Sequence, residues 1–131
     1  AQISGGIAGT LLAHAMFDMP LLQIGTTARH GSGQWIGEIT ATAALLLVIL
    51  GALRHARAQV PLLVGLTITA AYWFTSSTSF ANPAVTIARA FTTSFSGIAP
   101  MDVPAFILAQ IMGAVLAVGI GKVLYSDRVR G

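Results

Sequence analysis

One short segment holds the residue types that invite a chemical reading. Asn82-Pro83-Ala84 stands inside TSSTSFANPAVTIARAF, after a run of hydroxyl side chains and before a helix-compatible stretch. Asn is a favoured N-cap, Pro suits the first helical position, and Ala is the best helix former, so the tripeptide marks a helix start. An ordinary capped helix would read the same way; this one is set apart by its place between two apolar runs. A helix that begins near the bilayer midplane aims its positive end, about half an elementary charge, into any cavity there. That field repels cations, hydronium included. The Asn82 carboxamide can donate to a passing oxygen, and the backbone of Ser76, Ser77, Thr78 and Ser79 can offer a ladder of carbonyl acceptors. Together these replace the hydration of a small neutral solute while interrupting a proton wire.

The other polar residues do not assemble a reaction. Cysteine is absent, which removes thiol nucleophiles and thiolate metal sites. His30 and His55 fall in loops without metal-ligand spacing. No nucleophile–base pair can be built, so no catalytic residue, cofactor or metal is expected. Glu38 lies in an apolar run, where an unpartnered carboxylate costs about 2.5–3.5 kcal/mol at a helix centre. A proton relay would need a second ionisable group along the path, and His14, near the end of a different run, is the sole candidate. Glu38 therefore reads as structural, and Gln2 and Gln110 as inter-helix hydrogen-bonding groups.

The elements that must position these residues are apolar helices. Of the 131 residues, 55% are hydrophobic and 8% charged, with mean hydropathy +0.80. A soluble domain carries roughly a quarter charged residues, so lipid is the expected solvent. The formal charge of +3 rests on seven Lys and Arg at the ends of apolar runs. That is a membrane-orientation pattern and not the basic stripe a nucleic-acid binder needs. Residues 1–17 read as a partial span ending at Asp18-Met19-Pro20, followed by a polar loop with no capacity for a core. Residues 35–53 and 60–74 read as full spans, with Trp35 and Tyr72-Trp73 at interfaces. The last span covers 103–125, with Asp102 placed to cap it. Residues 75–101 are too long for an ordinary connection. They are polar, then moderately apolar, then polar, as a segment that enters the membrane, turns and leaves. Such backbone is tolerated at depth only inside protein or along a water-filled cavity.

Arg54, Arg57, Lys122, Arg128 and Arg130 fall on one side of these spans, the expected cytoplasmic side. Arg29 and Arg89 fall on the other, balanced by Asp18 and Asp102. An internal echo adds a constraint: AQISGGIAG from Ala1 matches AQIMGAVLA from Ala109, with Gly5 opposite Gly113. Small residues every four positions also occur wherever membrane helices pack, and the Gly5/Gly9 and Gly113/Ala117 pairs read as packing faces. Read as a duplication, the echo places the counterpart of Asn82 ahead of Ala1. Ala1 then reads as a truncation point within a longer channel.

FANPAVTIAR, followed by a last span carrying AQIMGA, resembles the aquaporin or major intrinsic protein family. AAYWFTSSTSFANPAVTIARAF is similar to a bacterial subgroup linked to arsenic-resistance gene sets. The resemblance implies an all-α membrane protein, a right-handed bundle represented here by helices three to six and one re-entrant half-helix. It implies a passive channel for water or small uncharged solutes such as glycerol or arsenous acid, tetrameric when full length, in a bacterial inner membrane. It also implies that Glu38 braces the re-entrant loop through backbone N–H groups. The family's constriction positions correspond to Ser79, Ala70 and Val85; most relatives carry Arg where Val85 stands, so a wider, less polar constriction is expected. Arg89, one turn further on, either faces the vestibule or holds loop carbonyls. NPAVT is more typical of the family's first motif. A first-half register, however, would put the Arg54/Arg57 loop outside and leave residues 1–17 as an unexplained helix. The rival classes are a secondary transporter with a re-entrant loop and a non-conducting structural member.

Overall fold

A computed structural model describes residues 1–125; Arg128 and Arg130 lie outside the described residues. Five α-helices follow one another: α1 Gln2–Met16, α2 Ser32–His55, α3 Val60–Phe74, α4 Pro83–Arg89 and α5 Val103–Leu124. Single 3-10 turns at Arg57–Gln59 and Pro100–Asp102 lead into α3 and α5. Ser32–His55 and Pro100–Leu124 are long and apolar enough to cross a membrane. At 15 residues each, α1 and α3 rise only about 22 Å, short of the ~30 Å hydrocarbon core.

The α2–α5 pair is the backbone of the assembly, and small residues allow it. Gly113 faces α2 so closely that a Cβ there would sit 2.5 Å from the Ile39 carbonyl oxygen and 3.0 Å from Thr42 Cβ. Ala109 and Ala117 continue the buried stripe on α5, facing inward as Ala41 does on α2. Further along, the Tyr125 hydroxyl donates to Leu47 O at 3.1 Å, filling the space that Gly51 leaves. α3 joins α2 through Ala71 and Ile68 against Ala41 and Leu45. A second core gathers Phe80, Ala90, Ile98 and Phe106, with Val85 and Val103 packed on it. Phe80 and Phe106 meet edge to face, their centroids 5.2 Å apart.

α1 packs on α4 and leaves much of its surface uncovered. This corrects the reading of Gly5 and Gly9 as a helix-packing face: a Cβ at either would meet nothing within 4 Å, whereas one at Gly6 would sit 3.0 Å from Ala88 Cβ. The helical phase turns Gly6 toward α4 and swings its neighbours into open space.

Two further expectations are corrected in the polar loops. Asp102 does not cap α5 with its side chain; its carboxylate instead accepts the Arg29 backbone N–H at 2.7 Å and lies 3.5 Å from His30 Nδ1. The loop after α1 is not a core-less connection either, since Arg29 is buried within it. Gly25 N donates to Ala90 O and Ala99 N to Thr27 O, binding this loop to the segment after α4.

Gly113→Leu is expected to destabilise the detergent-solubilised protein by about 1–3 kcal/mol through overpacking at the α2–α5 crossing. Gly5→Ala, which adds helix propensity in open space, is expected to hold the unfolding midpoint or raise it slightly. Thermal or denaturant unfolding of the two variants checks both.

Candidate functional site

The segment after α3 turns back into the protein through an unusual backbone. Thr78, Ser79 and Ala81 have φ of 59°, 50° and 47°, left-handed values that cost roughly 1–2 kcal/mol per non-glycine residue. What holds them is Glu38, fully buried on α2. Its Oε1 accepts the Ser77 hydroxyl at 2.7 Å and the Phe80 N–H at 2.8 Å; its Oε2 accepts the Ala81 N–H at 2.9 Å and the Gln110 amide at 2.7 Å. Successive N–H groups in such a turn form a concave nest for an anion, and here a side-chain carboxylate fills it. Four donors also answer the solvation demand of a charge removed from water.

Gln110 extends the brace to the short helix. The same amide nitrogen donates to Thr86 Oγ1 at 2.8 Å, and Thr86 Oγ1 donates to Asn82 O at 3.0 Å. α4 is thus tied to α2 and α5 within its first turn. Asn82 Oδ1 accepts the Ala84 N–H at 2.8 Å, a regular N-cap followed by Pro83. That bond commits the carboxamide oxygen and leaves its NH2 group without a partner among the described residues.

Arg29 closes the neck of the re-entrant segment. Its Nε donates to Gly97 O at 2.7 Å, one terminal nitrogen to Ser77 O at 3.1 Å and the other to Phe95 O at 3.0 Å. The strands of chain before and after α4 are therefore held by one side chain. Its guanidinium carbon lies 4.8 Å from the Phe80 ring centroid, and that of Arg89 lies 4.2 Å from it. Burial lowers the Arg29 pKa from its ordinary value, opposed by the field of Glu38; a guanidinium nonetheless stays charged. The two arginines differ in their donors. Those of Arg29 are spent on carbonyls, whereas a terminal nitrogen of Arg89 is buried without a hydrogen-bond partner.

A half-open groove of about 760 Å³ runs along this assembly. Asn82, Ala84, Val85, Ala88 and Arg89 of α4 form one wall, and Gly5, Gly6, Gly9 and Thr10 of α1 form the other. Gln2 also lines it, exposed, with no hydrogen bond to α4 or α5. It is therefore not a brace here, in contrast to the buried Gln110. Ala70 and Ser79 stand apart from the groove. Ala70 is on the exposed face of α3 beside inward-facing Ala71, and the Ser79 side chain is buried with its hydroxyl unpartnered. Nor do the hydroxyl-run carbonyls line the groove as a ladder: Ser76 O takes the Gln34 amide and Ser77 O takes Arg29. No group of three metal-ligating side chains occurs among the described residues.

Comparison with known proteins fits this geometry. A family model described as major intrinsic protein matches residues 58–131. The chain belongs to the major intrinsic protein family. It is 55% identical over 120 residues, 92% of its length, to aquaglyceroporin AqpS of Rhizobium meliloti (strain 1021), and spans about half (52%) of that curated relative. No solved structure matches it. Membership of the major intrinsic protein family makes this a membrane protein with an all-helical fold. Its members are channels, not enzymes. The sequence placed Arg29 on the outer side but gave no sign of its bracing role, nor of that of Thr86. The partners of Arg29 are backbone carbonyls of residues distant in sequence, which leave no signal in the residue types.

Replacing Glu38 by Gln leaves one acceptor oxygen and sets an NH2 group against backbone donors. The expected loss is about 3 kcal/mol or more of folding stability, read as reduced yield and a lowered denaturation midpoint in detergent. Glu38→Gln with unchanged stability would mean that the nest holds itself.

Proposed function

We propose that these residues form half of the pore of a passive channel for water and small uncharged polar solutes of the glycerol or arsenous-acid class. The observation that carries the reading is the partnerless Asn82 NH2 at the N-terminus of α4, on a groove whose facing walls beside it are built from Gly5, Gly6, Gly9, Ala84 and Ala88. A solute oxygen passing there meets a fixed donor and the positive end of a helix, which favours neutral polar molecules and opposes cations. The internal echo and the match to half of AqpS support assigning α1, α2, α3 and α5 to helices three to six of the family bundle. α4 is then the half-helix of its second motif. The half-open groove is then completed by the other half of the fold, and the complete pore assembles as a tetramer in a bacterial inner membrane.

Val85 is the constriction residue in this reading, with Arg89 presenting free donors one turn further out. Valine offers no hydrogen bond and less bulk than arginine, so solutes larger than water pass. Coupled transport is disfavoured by Glu38, whose two oxygens already serve four donors and have no capacity for a coupling ion.

The test is solute uptake into proteoliposomes carrying the complete channel, with and without an ion gradient. Uptake is expected to be independent of the gradient. Val85→Arg is expected to cut glycerol uptake about tenfold or more, equivalent to ~1.4 kcal/mol in the barrier, while water still passes. Unchanged glycerol uptake would remove Val85 from the constriction, and gradient-driven accumulation would favour a transporter.

A further inference from the structure

The α2–α5 pair ends in a second cleft, which the pathway described above leaves without a role. Contacts run in step along the two helices: a Cβ at Gly113 would meet Ile39, and one at Gly121 would meet Leu50. The pair is therefore parallel, and both C-terminal ends emerge on one side. There a cavity of about 430 Å³ opens between Leu50, Leu53 and Arg54 of α2 and Val118, Gly121 and Lys122 of α5, with Tyr125 beside them. That volume is within the range of small-ligand clefts.

The cleft has two levels. Leu50 and Arg54 are one turn apart on α2, and Val118 and Lys122 one turn apart on α5, so each pair shares a helix face with its apolar member deeper. Leu50, Leu53 and Val118 are exposed and make the lower level apolar. Arg54 and Lys122, also exposed, make the upper level cationic. Tyr125 fixes the arrangement: its hydroxyl donates to Leu47 O at 3.1 Å, and its carbonyl accepts Arg54 Nη1 at 2.6 Å. The second bond holds the guanidinium at the mouth of the cleft and neutralises none of its charge.

The described carboxylates are elsewhere. Glu38 is about 24 Å back along α2, Asp102 precedes the first turn of α5, and Asp18 follows α1 beside the first groove. In sequence, Arg57, Arg128 and Arg130 add to the charge of this end against Asp127. A helix C-terminus favours a cation, which accounts for Arg54 and Lys122 singly. It does not account for the apolar cleft that lies under both.

We propose that this cleft binds one anionic phospholipid of the cytoplasmic leaflet, its phosphate between Arg54 and Lys122 and an acyl chain on Leu50, Leu53 and Val118. Basic pockets between transmembrane helices on the cytoplasmic side hold such head groups, and the excess of Lys and Arg makes this that side. Only this ligand matches both levels. A soluble phosphate has nothing to place on the leucines, and a lipid without net charge leaves the two cations uncompensated. The inference goes beyond the pathway reading and needs only that α2 and α5 cross the membrane in this orientation.

The experiment is native mass spectrometry of the complete channel in detergent, titrated with phosphatidylglycerol or with phosphatidylcholine. Phosphatidylglycerol is expected to bind saturably, and phosphatidylcholine about tenfold or more weakly. Lys122→Gln is expected to weaken phosphatidylglycerol binding about fivefold, as for one cation near an anionic surface. Arg57→Gln removes a cation from the same end but not from the cleft, and is expected to bind as the wild type does. Val118→Phe fills the cleft below the cations and is expected to weaken binding although both charges remain. Equal binding of the two lipids, or equal losses in Lys122→Gln and Arg57→Gln, would overturn the site in favour of diffuse surface attraction. Phosphatidylglycerol binding that appears only after removal of residues 126–131 would overturn it in favour of that segment as the occupant.

Discussion

The Glu38 carboxylate binds the inside of a turn that has no other reason to exist. Three residues of that turn are left-handed without being glycine, and without Glu38 the N–H groups of Phe80 and Ala81 would be orphaned in an apolar interior. A carboxylate receiving the Ser77 hydroxyl, two backbone N–H groups and the Gln110 amide turns this strained backbone into a satisfied one. The consequence is positional. Because Phe80 and Ala81 are fixed to α2, Asn82 begins α4 inside the protein, and the positive end of a seven-residue helix opens on the groove.

The rest of the structure maintains that placement. Gln110 reaches from α5 to both Glu38 and Thr86, so the small-residue crossing at Gly113 also governs where α4 sits. Arg29 holds the two limbs of the re-entrant segment together from the opposite side, and its guanidinium shares the Phe80 ring with that of Arg89. An aromatic face attracts cations, which lets two like charges settle near one another while only one exhausts its donors on carbonyls. Rigid bracing behind the groove and unspent donors along it are two sides of one arrangement.

How much of this was legible beforehand depended on how local each signal is. Asn82, Pro83 and Ala84 announce a helix start because capping chemistry is encoded within three residues. The apolar runs located α5 to within a residue at its end, whereas α2 runs from Ser32 to His55, past the apolar 35–53 stretch into polar residues whose helical state the run does not signal. Arg29 carried no such mark, because its partners Ser77, Phe95 and Gly97 are backbone carbonyls far along the chain, and carbonyls have no sequence signature. Gly5 and Gly9 were misread for a related reason. A glycine that packs and one that lines open space look the same until the helical phase is known. Asp102 stood where a cap belongs, yet the Arg29 N–H outcompeted the helix for its oxygen.

The central claim is that α4 starts within the membrane and lines the solute path, and cysteine labelling measures it directly, since these 131 residues contain no cysteine and any in the remainder of the channel can first be replaced by serine. A single cysteine placed at Val85 in the complete channel can be treated in liposomes with a small water-soluble thiol reagent, alongside a second variant with cysteine at exposed Phe95. Reaction at position 85 should be slow relative to position 95, should be slowed further by glycerol, and should block solute flux. Equal reactivity at the two positions, with flux unaffected by modification at 85, would place α4 at the aqueous surface and contradict the account.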